Sequence, residues 1–285
     1  MAEPGAQERE QQAADIPEVE ESEAAEARER QTISPAVVHE TIRLEGEEEL
    51  KRPLSALGWS GLAAGLSMGF SLVAEGLLRS HLPDVSWRPL ISKLGYSLGF
   101  LLVILGRQQL FTENTLTPIL PLMRAWSPGK LGQVLRLWGV VLLSNLVGAF
   151  LFAWVVGNTE VFEAGTRATF ADIGRAAVEH PFWTILIRGV FAGWLIALMV
   201  WLLPSAEMAR VSIIIILTFV VGLAEFSHII AGSVEVLYLV GTGALSFGKY
   251  LLAYMVPTLL GNILGGVSLV AALNHAQVVS GDSGK

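Results

Sequence analysis

The chain has 285 residues, 52% of them hydrophobic, and its mean hydropathy of +0.54 is too apolar for an ordinary soluble domain. The net charge of −7 is unevenly placed: residues 1–50 hold 15 of the 26 acidic and 4 of the 19 basic residues, so this segment stands at −11 and the remainder at +4. The acidity therefore says nothing about the partners of the body, and the lack of cysteine excludes disulfides, thiolate chemistry and cysteine metal ligands.

Residues 1–33 read as an acidic disordered tail, rich in Glu, Ala and Gln, that buries too little apolar surface to offset its ordering entropy. The tail lacks the basic start and apolar core of a signal peptide. Residues 34–50 form an amphipathic segment with helical spacing at Val37, Val38 and Ile42, expected to lie along a membrane surface. Residues 51–275 are the membrane domain, and 276–285 a short C-terminal tail.

A helix needs about 20 mostly apolar residues to cross the hydrocarbon core. Six runs qualify: 54–78, 94–122, 131–157, 182–203, 211–240 and 247–273. An even number places both termini on one side, and the loop charges, nearly balanced, lean toward cytoplasmic termini. Gly58, Gly61, Gly65 and Gly69 recur on one face of the first span, and Gly261, Gly265 and Gly266 on the last, which reads as close helix packing. Ser60 and Ser67 read as packing residues, Trp87 and Trp126 as interfacial anchors, and Glu75 as a side chain reaching the interface.

Two spans carry polar groups in their middles. The second contains Arg107-Gln108-Gln109-Leu110-Phe111-Thr112-Glu113-Asn114-Thr115 and Pro118; the fifth contains Glu225-Phe226-Ser227-His228 and Gly232-Ser233. These residues favour caps and turns over helix interiors, so each span is expected to break, at 112–115 and 226–233. Such backbone survives at membrane depth only when buried in protein or lining a cavity. Each break lies in the middle helix of a three-span half, and aligning Gln109–Thr112 with Glu225–His228 puts polar groups in register. That pattern suggests an inverted repeat with a transport site at its centre. The half-helix after each break would aim its N-terminus at that centre, which favours an anion.

At these residues the chain resembles the formate/nitrite transporter family, over roughly 34–275. The resemblance rests on Leu110-Phe111-Thr112, on Phe226-Ser227-His228-Ile229-Ile230-Ala231, on Asn145-Leu146-Val147-Gly148-Ala149, and on the run Pro257–Gly266. It implies an all-α, aquaporin-like protomer of six transmembrane helices, an inverted repeat with broken helices 2 and 5. It further implies a homopentamer in a bacterial inner membrane, and passage of a small monovalent anion. Carried over by position, His228 is the central pore histidine, Thr112 the threonine facing it, and Leu110 a constriction residue with Phe111 beside it. Tyr96 and Val221 fall where the family has apolar gates, and Asn262 where a polar residue lines the path. The chain departs from the family at Arg107-Gln108-Gln109, at Ser227 (usually glutamate), and at Gly232 and Gly193 (usually asparagine), a pattern like the divergent YfdC-like branch.

His228 would supply a proton or a hydrogen bond so that the solute crosses as a weak acid. Arg107, Arg188 and Glu225 form a possible intramembrane charge network, read equally well as structural ion pairs or as a pore field. No catalytic group, cofactor, metal or nucleic-acid partner is expected, because the other histidines (His39, His81, His180, His275) do not converge. A neutral-solute pore is the alternative, though neither break holds an Asn-Pro-Ala loop. A structural or regulatory membrane protein is another; an intramembrane hydrolase would need a Gly-x-Ser-Gly segment, which the chain lacks.

Overall fold

The structure is a computed structural model and describes residues 33–273, 276 and 277. The expected acidic tail and the C-terminal tail lie almost wholly outside the described residues. Among the described residues every regular element is helical. In chain order they are α1 (Pro35–Lys51), α2 (Leu54–His81), α3 (Arg88–Ser92), a 3-10 turn (Lys93–Tyr96), α4 (Ser97–Leu105), α5 (Ile119–Arg124) and α6 (Pro128–Asn158). Then come α7 (Ala164–Val178), α8 (Phe182–Leu202), α9 (Arg210–Leu223), α10 (Ala231–Gly241), α11 (Phe247–Lys249) and α12 (Val256–Ile263). Wider π-helical turns at Tyr250–Met255 and Leu264–Ala272 flank α12, where Pro257 cannot donate to the helical ladder.

Among the described residues five stretches are long and apolar enough to cross a membrane: Leu54–His81, Arg88–Leu105, Pro128–Asn158, Phe182–Ser205 and Phe247–Ser268. The expected span over 211–240 is divided, as the sequence implied, between α9 and α10, each too short to cross alone, with the interruption at 224–230 rather than 226–233. The expected span over 94–122 ends as helix at Leu105, and 106–118 folds as turns and one 3-10 segment before α5. α6 begins three residues before the expected 131, because Ser127 Oγ accepts from the Lys130 amide and Pro128 occupies the first turn.

The helices pair in two equivalent sets. α2 lies along α6, and α8 lies along α12 and the π turn after it. A Cβ on Gly65 would overlap the Asn145 carbonyl, and one on Gly193 the Asn262 carbonyl. Likewise Gly148 presses on the backbone of Leu62 and Leu66, and Gly265 on that of Val190 and Trp194. The glycine faces of the first and last spans are thus consumed inside the chain and carry no argument about assembly. The asparagine implied at 193 has no room there.

α1 packs its Val38, His39, Ile42, Gly46 and Leu50 face onto the channel body. Gly46 sits against the Thr117 carbonyl, where no side chain fits. Lys130 Nζ and Arg124 Nη1 each reach α1, at 2.9 Å from Glu47 and from Glu40 respectively. α7 was not foreseen; it packs on α2 and α10 through Thr166, Phe170, Ile173 and Gly174.

Candidate functional site

The two breaks begin with the same helix terminator. After α4, Arg107 takes φ +50°, its amide donates to the Ile104 carbonyl, and the Gln108 amide donates to Val103. After α9, Glu225 takes φ +53°, its amide donates to Gly222, and the Phe226 amide donates to Val221. This is a Schellman cap, a left-handed residue closing the helix, and glycine is its usual occupant. Here two charged side chains hold it, at a strain of roughly 1–2 kcal/mol each.

The loops are then fixed by one asparagine apiece. Asn145 Oδ1 accepts from the Phe111 amide at 2.9 Å, while its Nδ2 donates to the carbonyls of Gly61 at 2.7 Å and Gln109 at 2.9 Å. Asn262 Oδ1 accepts from the Ile229 amide at 2.9 Å, while its Nδ2 donates to Gly189 at 2.9 Å and Ser227 at 2.8 Å. Each amide ties its own helix to a second helix and to the loop, and it satisfies a loop amide and a loop carbonyl that would otherwise be buried without partners. Asn262 is fully buried, uses both Nδ2 donors in this brace and is not among the residues lining the cavity described below.

These bonds set the register of the repeat. Gln109, Leu110 and Phe111 correspond to Ser227, His228 and Ile229, two residues away from the alignment that polar matching suggests. Counting polar side chains misleads because the terminator and the brace act through the backbone. Leu110 in the first break therefore occupies the place of His228 in the second.

Beyond that point the breaks diverge. In the second, α10 begins at once, and the amides of Ile230 and Ala231 both donate to His228 Nδ1 at 3.2 Å. The N-terminal amides of this half-helix are thus capped by the imidazole rather than left free for a solute. In the first break only the 3-10 segment Glu113–Thr115 follows, with Thr115 Oγ1 donating to the Thr112 carbonyl, and α5 is a short helix beginning after Pro118.

Because Nδ1 accepts two N–H groups, the ring proton sits on Nε2, which lies 2.8 Å from Thr112 Oγ1 and donates to it. That bond joins the two breaks. The Thr112 hydroxyl keeps its own proton free to donate elsewhere. Phe100 stands edge-on to the imidazole with ring centroids 4.9 Å apart, and Tyr254 Oη donates to the His228 carbonyl at 3.2 Å. A side chain at 232 would collide with Tyr254 Oη, so the tyrosine occupies the space the implied asparagine would need.

His228 closes the inner end of a cavity of about 210 Å3. Tyr96 and Val221 line its wall, with Phe226, Gly232 and Tyr254. Leu110 and Phe111 are buried on the other break, Phe111 edge-on to Trp138 with centroids 5.8 Å apart. Arg188 and Glu225 also line the cavity and form a half-exposed pair at 3.5 Å. Arg107 lies outside that wall and pairs with neither among the described residues. Among the described residues no group of three or more His, Asp or Glu side chains could hold a metal.

Several residues that reach the site were not foreseen. Asn145 carried a signal in the sequence, a lone amide inside an apolar helix. Ser60 Oγ, expected only to pack, accepts from the Gln109 amide at 3.0 Å. Glu75, expected at the interface, is 1% exposed and meets Lys93 Nζ at 2.6 Å. Glu49 of α1 accepts from Gln109 Nε2 at 3.0 Å and from Thr117 Oγ1 at 2.5 Å, so its carboxylate is enclosed although its stem is partly exposed. Burial pushes the Glu49 carboxyl above the ordinary glutamate value, against the opposing pull of those two donors.

A family model described as formate/nitrite transporter matches residues 36–276. The inner membrane protein YfdC of Escherichia coli is 43% identical over 248 residues, covering 87% of this chain and 80% of that protein. The formate channel FocA of Haemophilus influenzae is 24% identical over 253 residues, covering 79% and 87%. A solved pentameric formate channel with formate bound has a TM-score of 0.67 at 21% identity, covering 79% of this chain and 98% of that one. A solved ion channel of the same family has a TM-score of 0.68 at 20% identity, covering 82% and 96%.

Proposed function

The chain belongs to the formate/nitrite transporter family, a membrane transport family for small anions, and from that premise we propose that it passes monovalent anions of weak acids, formate-like or nitrite-like, through each protomer. The observation that carries this reading is the His228–Thr112 hydrogen bond, which joins the two breaks at the inner end of the cavity. A bare anion is costly to desolvate between Leu110, Phe100 and Val221. The Thr112 hydroxyl and the Nε2–H of His228 are the polar donors at that point, and a solute parting the two would gain both. His228 acts here as a hydrogen-bond donor, since a second proton on Nδ1 would face the amides of Ile230 and Ala231. The protein is a conductor rather than an enzyme in this reading. Formate, nitrite, hydrosulfide and short carboxylates are the candidate solutes.

The solved pentameric relative supports a homopentamer, and the relative from E. coli supports an inner membrane; cytoplasmic termini follow from the lean of the loop charges. The exposed apolar faces, such as Leu143, Leu151 and Trp154 on α6, suit lipid or neighbouring protomers. The test is uptake of that panel of anions by proteoliposomes holding the purified protein. Flux of one or more is expected, and His228→Phe should remove it by adding an apolar plug. An inert parent protein across the whole panel would overturn the reading. Native mass spectrometry should give five copies.

A further inference from the structure

The same cavity carries charge that solute attraction does not explain. Arg79, Arg88, Lys93 and Arg188 suit an anion-accepting wall, yet Glu75 and Glu235 open onto it as well. Glu75 comes from α2 and is 1% exposed, and its Oε2 has no hydrogen-bond partner. Lys93 Nζ lies 2.6 Å from Glu75 Oε1, a close ion pair that leaves Oε2 without a partner. Glu235 comes from α10, is 9% exposed, makes no side-chain hydrogen bond among the described residues, and stands within electrostatic reach of Glu75, Lys93 and Glu225.

Glu75 is paired with Lys93, and Glu235 lines the same wall with no ion pair of its own among the described residues, so the wall sets two buried carboxyls beside one ammonium. With both ionised the trio carries a net negative charge where little water reaches; with one proton bound it is neutral. The surroundings do not otherwise balance it. Glu225 is already turned to Arg188, and Arg88 to Asp84 at 2.8 Å. Tyr96 and Tyr254 are neutral hydroxyls, and α7 offers only Ile173, Ala176 and Ala177 to this wall. Arg79 remains, beside the cavity mouth. His228 cannot fill the role, because its Nδ1 is held by two amides and loss of the Nε2 proton would leave an imidazolate.

We propose that Glu75, Lys93 and Glu235 form a proton site in the cavity wall, which holds one exchangeable proton and gives it to a weak-acid anion on its way to His228. The O–H bond of the carboxylic acid breaks as an O–H bond forms on the anion. The solute becomes a neutral acid and the trio takes over its negative charge. A hydronium ion from the bulk on the cavity side returns a proton to the carboxylate and leaves as water, so one proton leaves that side for each acid that crosses. The neutral acid then meets the apolar constriction without the desolvation penalty of an ion. The inference rests on the weak-acid reading given above, and names the group that links it to protons.

The test uses the full chain in proteoliposomes with a trapped pH dye, formate as the probe, and two variants. Glu235→Gln leaves the Glu75–Lys93 pair intact. Glu75→Gln with Lys93→Met removes a carboxyl without stranding an ammonium. The parent should take up one proton per formate, faster as the pH outside the cavity falls. Either variant should pass formate far more slowly, the residual flux moving without proton uptake and with a flattened pH profile. Variants that keep the parent's stoichiometry and profile would show a merely structural ion cluster and overturn the proposal. If the parent carries no formate, or if neither variant folds, infrared spectra decide: the parent must show a protonated-carboxyl stretch at neutral pH that disappears on alkalinisation. Absence of that band overturns the proton site, whatever becomes of the transport reading.

Discussion

After Leu105 and after Leu223 the chain stops a helix in the same way, turns inward along the same path, and is caught by the same amide brace. On that shared backbone the first break places Arg107, Gln109 and Leu110, and the second Glu225, Ser227 and His228. The second break then launches α10 from the imidazole, whereas the first continues as a 3-10 segment tied to α1 through Thr117 and Glu49. The comparison separates two tasks. Backbone bonds from Asn145 and Asn262 build the loops, and side chains free of that duty differentiate them. One loop carries an apolar side chain where the other carries a hydrogen-bond donor, so the two breaks differ chemically although their frame is repeated.

The equivalence of the frames is broken or sharpened most strongly at the braces. Asn145→Ala and Asn262→Ala each leave two buried loop groups unpartnered, one amide and one carbonyl, at about 1–3 kcal/mol per group. Both variants should lose folded yield or show a large drop in thermal midpoint in detergent. If one is tolerated and the other is not, the loops are not held alike.

The chemical difference is tested at His228. His228→Leu makes the second break carry the side chain of the first. It strands the amides of Ile230 and Ala231, and it should abolish anion flux while lowering stability by a few kcal/mol, about 1–3 for each lost partner. His228→Asn can still cap α10 and donate to Thr112, so it should keep the thermal midpoint within about 1 kcal/mol of the parent, conduct more slowly, and retain the parent's pH profile. A flattened profile in the Asn variant would return the proton-handling role to the imidazole.

A smaller effect belongs to the first break alone. The Glu49 carboxyl is raised above 4.5 by burial, so the folded state holds its proton more tightly than the unfolded chain does. The stability it contributes is fully present below 4.5 and is lost as pH rises through the folded value. Hydrogen exchange in α1 should accordingly quicken as pH rises through that window, and Glu49→Gln should remove the dependence. Exchange that slows with rising pH would contradict the sign.

The smallest changes are expected at the terminators. Glycine relieves the left-handed strain of roughly 1–2 kcal/mol, less its own entropy cost of roughly 0.5–1. Arg107→Gly should therefore raise the thermal midpoint slightly. Glu225→Gly should gain less, because it also loses the exposed pair with Arg188, worth about 0–1 kcal/mol. Equal gains would show that the pair contributes nothing.

Much of this architecture was legible because apolar runs of membrane length are a strong signal, and the edges of α2, α6 and α8 fall within a few residues of expectation. Breaks in the second and fifth spans were legible because Thr, Asn, Ser and His interrupt those runs. Their register was not, because Arg107 and Glu225 stand where glycine ordinarily announces a Schellman cap. Thr112 and His228 were paired in advance only through family resemblance, since nothing in either segment points to the other. α7 escaped notice: its stripe of Thr166, Phe170, Ile173 and Gly174 is short and sits among charges. Glu75 and Lys93 are 18 positions apart on different helices, a separation from which no sequence period suggests a contact.

The braces also bear on the order in which the protein is made. Asn145 binds the loop of its own half and the first helix of its own half, at Gly61. Once α6 has left the ribosome, the brace of the first break has all its partners and does not wait for the second half. The same holds for Asn262 with Gly189 and Ser227. Each half can therefore close its own brace during translation. The Thr112–His228 bond, which needs both, is the last to close, so the pore forms only when synthesis is nearly complete.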